Sequence, residues 1–171
     1  RSTAVGYNAL STQNYGTNNY NVAVGYEAGK SVTSGTQNTM IGSAAGDALT
    51  SGSNNTAIGY FALSTEDAHS GNTAIGYEAL KAQDAGVDAY NVAVGHQAGL
   101  LVSTGEQNVL IGAKAGDALT TGHYNIAIGY QALSTEDAHG FNVAIGRSAL
   151  YAQNAGADAY NVAIGYFAGV S

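Results

Sequence analysis

Residues 72–99 read NTAIGYEALKAQDAGVDAYNVAVGHQAG, and residues 142–169 read NVAIGRSALYAQNAGADAYNVAIGYFAG. The second stretch nearly restates the first, and each holds two copies of a shorter phrase, Asn-x-Ala-[Ile/Val]-Gly-x-x-Ala-[Leu/Gly]. Followed outward, the phrase recurs ten times, with central glycines at Gly6, Gly25, Gly42, Gly59, Gly76, Gly95, Gly112, Gly129, Gly146 and Gly165. The steps between them alternate in a fixed order: one 19-residue coil, then three 17-residue coils, then the same again, closing on a third 19-residue coil. The array therefore carries a four-coil superrepeat, in which Gly6, Gly76 and Gly146 stand at equivalent places. A fixed short period marks a chain whose repeats are buried by their neighbours. The expected fold is all-β: a parallel β-solenoid of about ten coils, forming one continuous domain over residues 1–171 and reading as a piece of a longer fibre.

The columns of the phrase suggest its geometry. The residue before the central glycine is Val or Ile in all ten copies, and two residues earlier sits Thr, Val or Ile. Side chains alternate along a strand, so these two share a face. The residue between them is Ala except at Met40 and Leu110. This reading puts the β-branched face inside the coil and leaves the Ala/Gly face bare, where another backbone can approach. Asn opens nine copies, among them Asn21, Asn55, Asn72, Asn91, Asn125 and Asn161, and predicts a ladder of amides hydrogen-bonded from coil to coil. The glycines beside them, including Gly25, Gly59, Gly76, Gly95, Gly129 and Gly165, share this structural role. Ala three residues after the central glycine marks a tight corner, and Gly or His ten residues after it marks the return turn. Helix is disfavoured, because glycine falls too often and no 3.6-residue stripe persists.

Composition bounds the function. With 24 Gly, three Phe, one Met and no Trp, the chain lacks the bulk for an ordinary globular core. A net charge of -7 with five Lys+Arg offers no footprint for nucleic acid. No cysteine is present for disulfides or thiolate-bound metals, and no apolar run reaches membrane-span length. Phosphate-loop, nucleophile-elbow, zincin and Gly-Gly-x-Gly-x-Asp calcium signatures are missing. Catalytic, cofactor and metal sites are therefore not expected.

The phrase resembles the head repeat of YadA-like trimeric autotransporter adhesins, Asn-Ser-Val-Ala-Ile-Gly-x-x-Ser, most closely at residues 21–25, 91–95 and 161–165. It is also similar to the Asn-Thr-Ala-Ile-Gly-Tyr arrays of phage and virus tail fibres, matched at residues 55–60 and 72–77. The resemblance covers the whole chain. It implies a left-handed β-roll, a homotrimer, an extracellular or virion setting, and a role in attachment to a cell-surface glycan or protein receptor. The coils here are longer than is usual in adhesin heads, which favours the tail-fibre branch.

Three features compete for surface roles. Tyr follows the central glycine at Tyr7, Tyr26, Tyr60, Tyr77, Tyr130 and Tyr166, reading first as an inter-coil ladder and second as a sugar-stacking strip. The 19-residue coils carry longer loops over residues 10–20, 80–90 and 150–160, ending in Tyr20, Tyr90 and Tyr160. These loops could contact a receptor or merely record duplication. Ser-Thr-Glu-Asp-Ala-His occurs at residues 64–69 and 134–139; it reads as a polar turn, with metal binding or acid–base work as the alternative. His96 and His123 read as isolated surface residues.

Overall fold

The computed structural model describes residues 1–14, 18–65, 67–135, 138–152 and 156–170. Among these, ten strands of three residues each form one sheet in the order β1 to β10. They are β1 (Thr3–Val5), β2 (Val22–Val24), β3 (Thr39–Ile41), β4 (Thr56–Ile58), β5 (Thr73–Ile75), β6 (Val92–Val94), β7 (Val109–Ile111), β8 (Ile126–Ile128), β9 (Val143–Ile145) and β10 (Val162–Ile164). Every neighbouring pair is parallel and in register with the repeat, as in Thr56↔Thr73, Ala57↔Ala74 and Ile58↔Ile75. The chain is a β-solenoid. At about 4.8 Å per rung its sheet is about 48 Å long. We number the coils 1 to 10 by their central glycines.

Three-residue strands hold because backbone pairing continues beyond them. Thr3 N–H donates to the Asn21 carbonyl, Gly25 N–H to Val5, Glu27 N–H to Tyr7 and Leu10 N–H to Ala28. Equivalent bonds recur along the stack. Backbone polar groups at the corners are thus paired from coil to coil, as buried amides require.

The inside and outside of the strand are the reverse of the sequence expectation. Met40 and Leu110 are 0% exposed, whereas Ile41 and Ile111 beside them are each 37% exposed. The Ala column from Ala23 to Ala163 lies in the buried cluster, and the β-branched columns face outward. The coil is too narrow for two branched side chains per rung. Its interior is already filled by three other positions: the corner alanines (Ala28, Ala45, Ala62), a leucine one residue further on (Leu10, Leu63, Leu80, Leu133, Leu150), or an apolar residue three beyond that (Val32, Leu49, Val102, Leu119).

These last two positions trade volume. The leucine site has a left-handed backbone, φ 47 to 52° at Leu10, Leu63, Leu80, Leu133 and Leu150. That conformation costs an L-residue about 1–2 kcal/mol. Coils 2, 3, 6 and 7 place Gly there instead (Gly29, Gly46, Gly99, Gly116) and restore bulk with Val32, Leu49, Val102 or Leu119. Met40 and Leu110, in coils 3 and 7, fill what remains. A Cβ on Gly29 or Gly46 would strike the Met40 side chain, and one on Gly99 or Gly116 would strike Leu110.

The central glycine is required twice over. Its φ lies between 127 and 145°, and in coils 1 to 9 a Cβ would run into the glycine carbonyl of the next coil. The close backbone approach inferred from the bare face is therefore the next coil of the same chain, sealed inside rather than offered to another molecule.

The asparagine ladder is present and buried. Asn38 N–H donates to Asn21 Oδ1 at 2.8 Å, and Asn55, Asn72, Asn91, Asn108, Asn125, Asn142 and Asn161 continue it at 2.8–3.3 Å. Most of the amide nitrogens reach across their own coil, as Asn21 Nδ2 does to the Gly35 carbonyl at 2.7 Å and Asn125 Nδ2 to that of His139 at 3.1 Å. Ser2 takes the asparagine place in coil 1, where its hydroxyl accepts from Asn21 N–H at 3.1 Å.

Candidate functional site

Alternation on the strand places four columns on one outer face. Two are the β-branched columns of the strand. The other two flank them: the residue after the central glycine, and the residue before Asn. Both flanking columns are rich in aromatic residues, and together the four run the length of the sheet.

In the first aromatic column the rings use their faces on one another. Tyr7 stacks on Tyr26 (5.3 Å between centroids, 12° between planes), Tyr60 on Tyr77 (5.5 Å, 19°) and Tyr77 on His96 (5.1 Å, 9°). The Arg147 guanidinium lies between Tyr130 and Tyr166, 5.6 and 5.7 Å from the ring centroids. Ser43 and Ala113 break the column into three groups. Parallel rings stabilise stacked strands, but rings stacked in this way present edges to solvent. A sugar-stacking platform needs exposed ring faces, so the geometry favours the ladder reading for Tyr26, Tyr60, Tyr77 and Tyr130. His96 is a rung of this ladder, not an isolated residue.

The second column holds Tyr20, Tyr90, Tyr124, Phe141 and Tyr160, all with left-handed φ of 51 to 62°. Tyr124 stacks on Phe141 (5.0 Å), and Phe141 on Tyr160 (4.9 Å). His123 meets Tyr124 and Phe141 edge-on, so it too is part of a ring cluster. Tyr90 covers Gly71, where a Cβ would strike its ring. Tyr20, Tyr90 and Tyr160 remain exposed at the ends of the long loops. Four coils apart, these loops stand about 19 Å from one another along the sheet.

The long loop of coil 5 leaves the stack after Asp84, whose N–H still donates to the Ser103 carbonyl at 2.9 Å. Gln83 is buried, its Oε1 accepting from Asn91 Nδ2 at 2.6 Å and its Nε2 donating to the Ser103 carbonyl at 3.1 Å. A Cβ on Gly86 would meet nothing within 4 Å. This displacement accounts for His69, which stands where coils 2, 3, 6 and 7 have Gly. Gly52 and Gly122 are held to glycine by the carbonyls of His69 and His139 in the next coil, but His69 itself is followed by a loop that has moved away. The same displacement removes an acceptor from the ladder: Asn72 Nδ2 has no hydrogen-bond partner among the described residues.

Of the two Ser-Thr-Glu-Asp-Ala-His copies, Glu66, Glu136 and Asp137 lie outside the described residues. In the first copy Asp67 and His69 are brought together with Asp84 of the next coil, with donor atoms within 4.8 Å of one another. The linear motif did not reveal Asp84. Its signal lies in the period: Asp67 and Asp84 each stand eight places after a central glycine, Gly59 and Gly76, and so occupy the same column.

Two surface ion pairs lie beside the first aromatic column. Lys81 contacts Glu78 at 2.6 Å, Lys30 contacts Glu27 at 3.1 Å, and each hydrogen bond holds its carboxyl below the ordinary glutamate range. Asp47 is different. Burial pushes its carboxyl up, and its Oδ1 lacks a partner among the described residues, whereas Asp117 in the same place of coil 7 accepts from the Ser134 hydroxyl at 2.6 Å. No pocket is found among the described residues, and no helix there is long and apolar enough to cross a membrane.

No family model, curated protein or solved structure matches the chain.

Proposed function

We propose that this chain is a non-enzymatic structural and adhesive fibre segment that assembles as a homotrimer through its outer β-branched face. The observation that carries the reading is the extent of that face. About 48 Å of sheet by roughly 20 Å of strand and flanks gives on the order of 1,000 Å² of largely apolar surface. A soluble monomer rarely exposes an apolar patch above about 600 Å². The area is close to the roughly 800 Å² that each partner contributes to a stable interface. Identical copies supply identical columns, which suits packing about a common axis.

On this reading the aromatic columns edge the contact, and the loops ending at Tyr20, Tyr90 and Tyr160 are the surface left for a glycan or protein receptor. A phage or virus tail fibre active in host attachment is the preferred setting, in line with the coil length and the Asn-Thr-Ala-Ile-Gly-Tyr words. The head of a bacterial trimeric adhesin is the second reading, favoured by the Asn-Val-Ala-Val-Gly words at residues 21–25 and 91–95. Flanking sequence separates them: a C-terminal intramolecular chaperone marks the virion, a membrane β-barrel anchor the bacterium. A polysaccharide-degrading solenoid has less support, because Asp67 lies on an exposed corner and not in a groove.

Sedimentation equilibrium tests the assembly. The expected mass is three times the chain's 17.2 kDa, falling to 17.2 kDa when Ile58→Lys and Ile128→Lys are combined. A wild-type mass of 17.2 kDa at every concentration would refute the trimer.

A further inference from the structure

We propose that Asp67, His69 and Asp84 form a binding site for a divalent transition-metal ion that ties coil 4 to coil 5. The site rests on placement as well as on residue type. Asp67 and Asp84 stand in one column on consecutive rungs, where like charges oppose each other. The described neighbours in that column are Asn14, Thr33, Thr50, Ser103 and Thr120, none of them charged. His69 stands where coils 2, 3, 6 and 7 have Gly, and it is admitted there because the coil 5 loop has moved off the stack. Two carboxylates and an imidazole therefore meet at one corner.

The distances suit an ion. His69 Nδ1 lies 4.0 Å from Asp67 Oδ1, and all three donor atoms fall within 4.8 Å of one another. Bonds of about 2.1 Å let one ion span donors up to about 4.2 Å apart. Asp67 and Asp84 are both exposed, so rotation of the two side chains about their own bonds closes the difference without moving the backbone. One nitrogen with two oxygens is a donor set for nickel, cobalt, zinc or manganese; calcium and magnesium prefer oxygen alone. Three protein ligands leave the remaining positions to water.

The second superrepeat supplies a natural contrast in sequence. Its corresponding residues are Asp137, His139 and Asn154, with an amide in place of one carboxylate. Asp84→Asn thus installs a residue the chain already uses at that repeat position, and His69→Gly installs the residue of coils 2, 3, 6 and 7.

Titration of the full chain with Ni²⁺ in a calorimeter tests the site, with circular dichroism confirming that each variant is folded. The wild type is expected to bind Ni²⁺, and each variant to bind it about tenfold or more weakly. Thermal unfolding of the wild type should move up with added Ni²⁺, while that of the variants stays in place. Undiminished Ni²⁺ binding by both variants would overturn the proposal. So would a wild type that takes up no Ni²⁺, or Ca²⁺ displacing Ni²⁺ at equal concentration.

Discussion

Replacing Leu110 with alanine probes the reversed strand most sharply. Leu110 is fully buried, and its methyl groups occupy the space left by two glycines, Gly99 and Gly116. The substitution removes three carbons, worth about 2.4 kcal/mol at about 0.8 kcal/mol each. The void cannot close easily, because backbone hydrogen bonds fix the coil spacing and neither glycine has a side chain to swing inward. An uncollapsed cavity of this kind adds about 1–2 kcal/mol, giving a loss of about 4 kcal/mol. Urea unfolding followed by circular dichroism measures it, and the loss should not depend on protein concentration. Leu110→Met, which keeps the volume, should cost less than about 1.5 kcal/mol. Ile111→Ala, one residue along, should cost single chains only about 1 kcal/mol and should act mainly on association. A loss below about 1 kcal/mol for Leu110→Ala, or a larger one for Ile111→Ala in dilute single chains, would refute the assignment of faces.

The ladder predicts an asymmetry between asparagines. Asn108→Ser should cost about 1–3 kcal/mol in urea unfolding, since it strands the Gly122 carbonyl, whereas Asn72→Ser should cost little, because the Asn72 Nδ2 has no partner among the described residues and Ser2 shows that a hydroxyl can take the place. Gly76→Ala should destabilise by about 1–3 kcal/mol more than Gly165→Ala: both have left-handed φ, but only Gly76 faces the carbonyl of a following glycine. Burial raises the Asp47 carboxyl above its unfolded value, so the folded state holds the proton longer and Asp47 costs stability as pH rises from the ordinary carboxylate range through the raised value. Asp47→Asn should therefore gain on the wild type between acid and neutral pH in thermal unfolding; a constant difference across that range would contradict it.

The stacking of coils was legible in the period of the glycines, and the amide ladder in the asparagine column, because both depend on positions that every rung must satisfy. The direction of the strand was not. Two β-branched columns around an alanine look like a core against a bare face, and the choice turns on how wide the coil is, which no single phrase states. A clue was present in how the columns vary. The middle column admits Met40 and Leu110 only in coils where a neighbouring site is Gly, as interior volume demands, while the outer column exchanges Val22 or Val92 for Thr39 or Thr56 without compensation, as an exposed face allows. Asp84 was hidden for a related reason: its partnership with Asp67 and His69 exists only when the chain is wound at its own period.

The chain has no cysteine, so single thiols report on the two faces without background. Met40→Cys and Ile41→Cys place a thiol on adjacent residues of β3. Under native conditions the first should resist a maleimide at every dilution, and the second should label rapidly in dilute single chains and slow as copies associate. Rapid labelling at position 40 with lasting protection at position 41 in dilute single chains would contradict a solenoid that buries its alanine column and turns its valines and isoleucines outward.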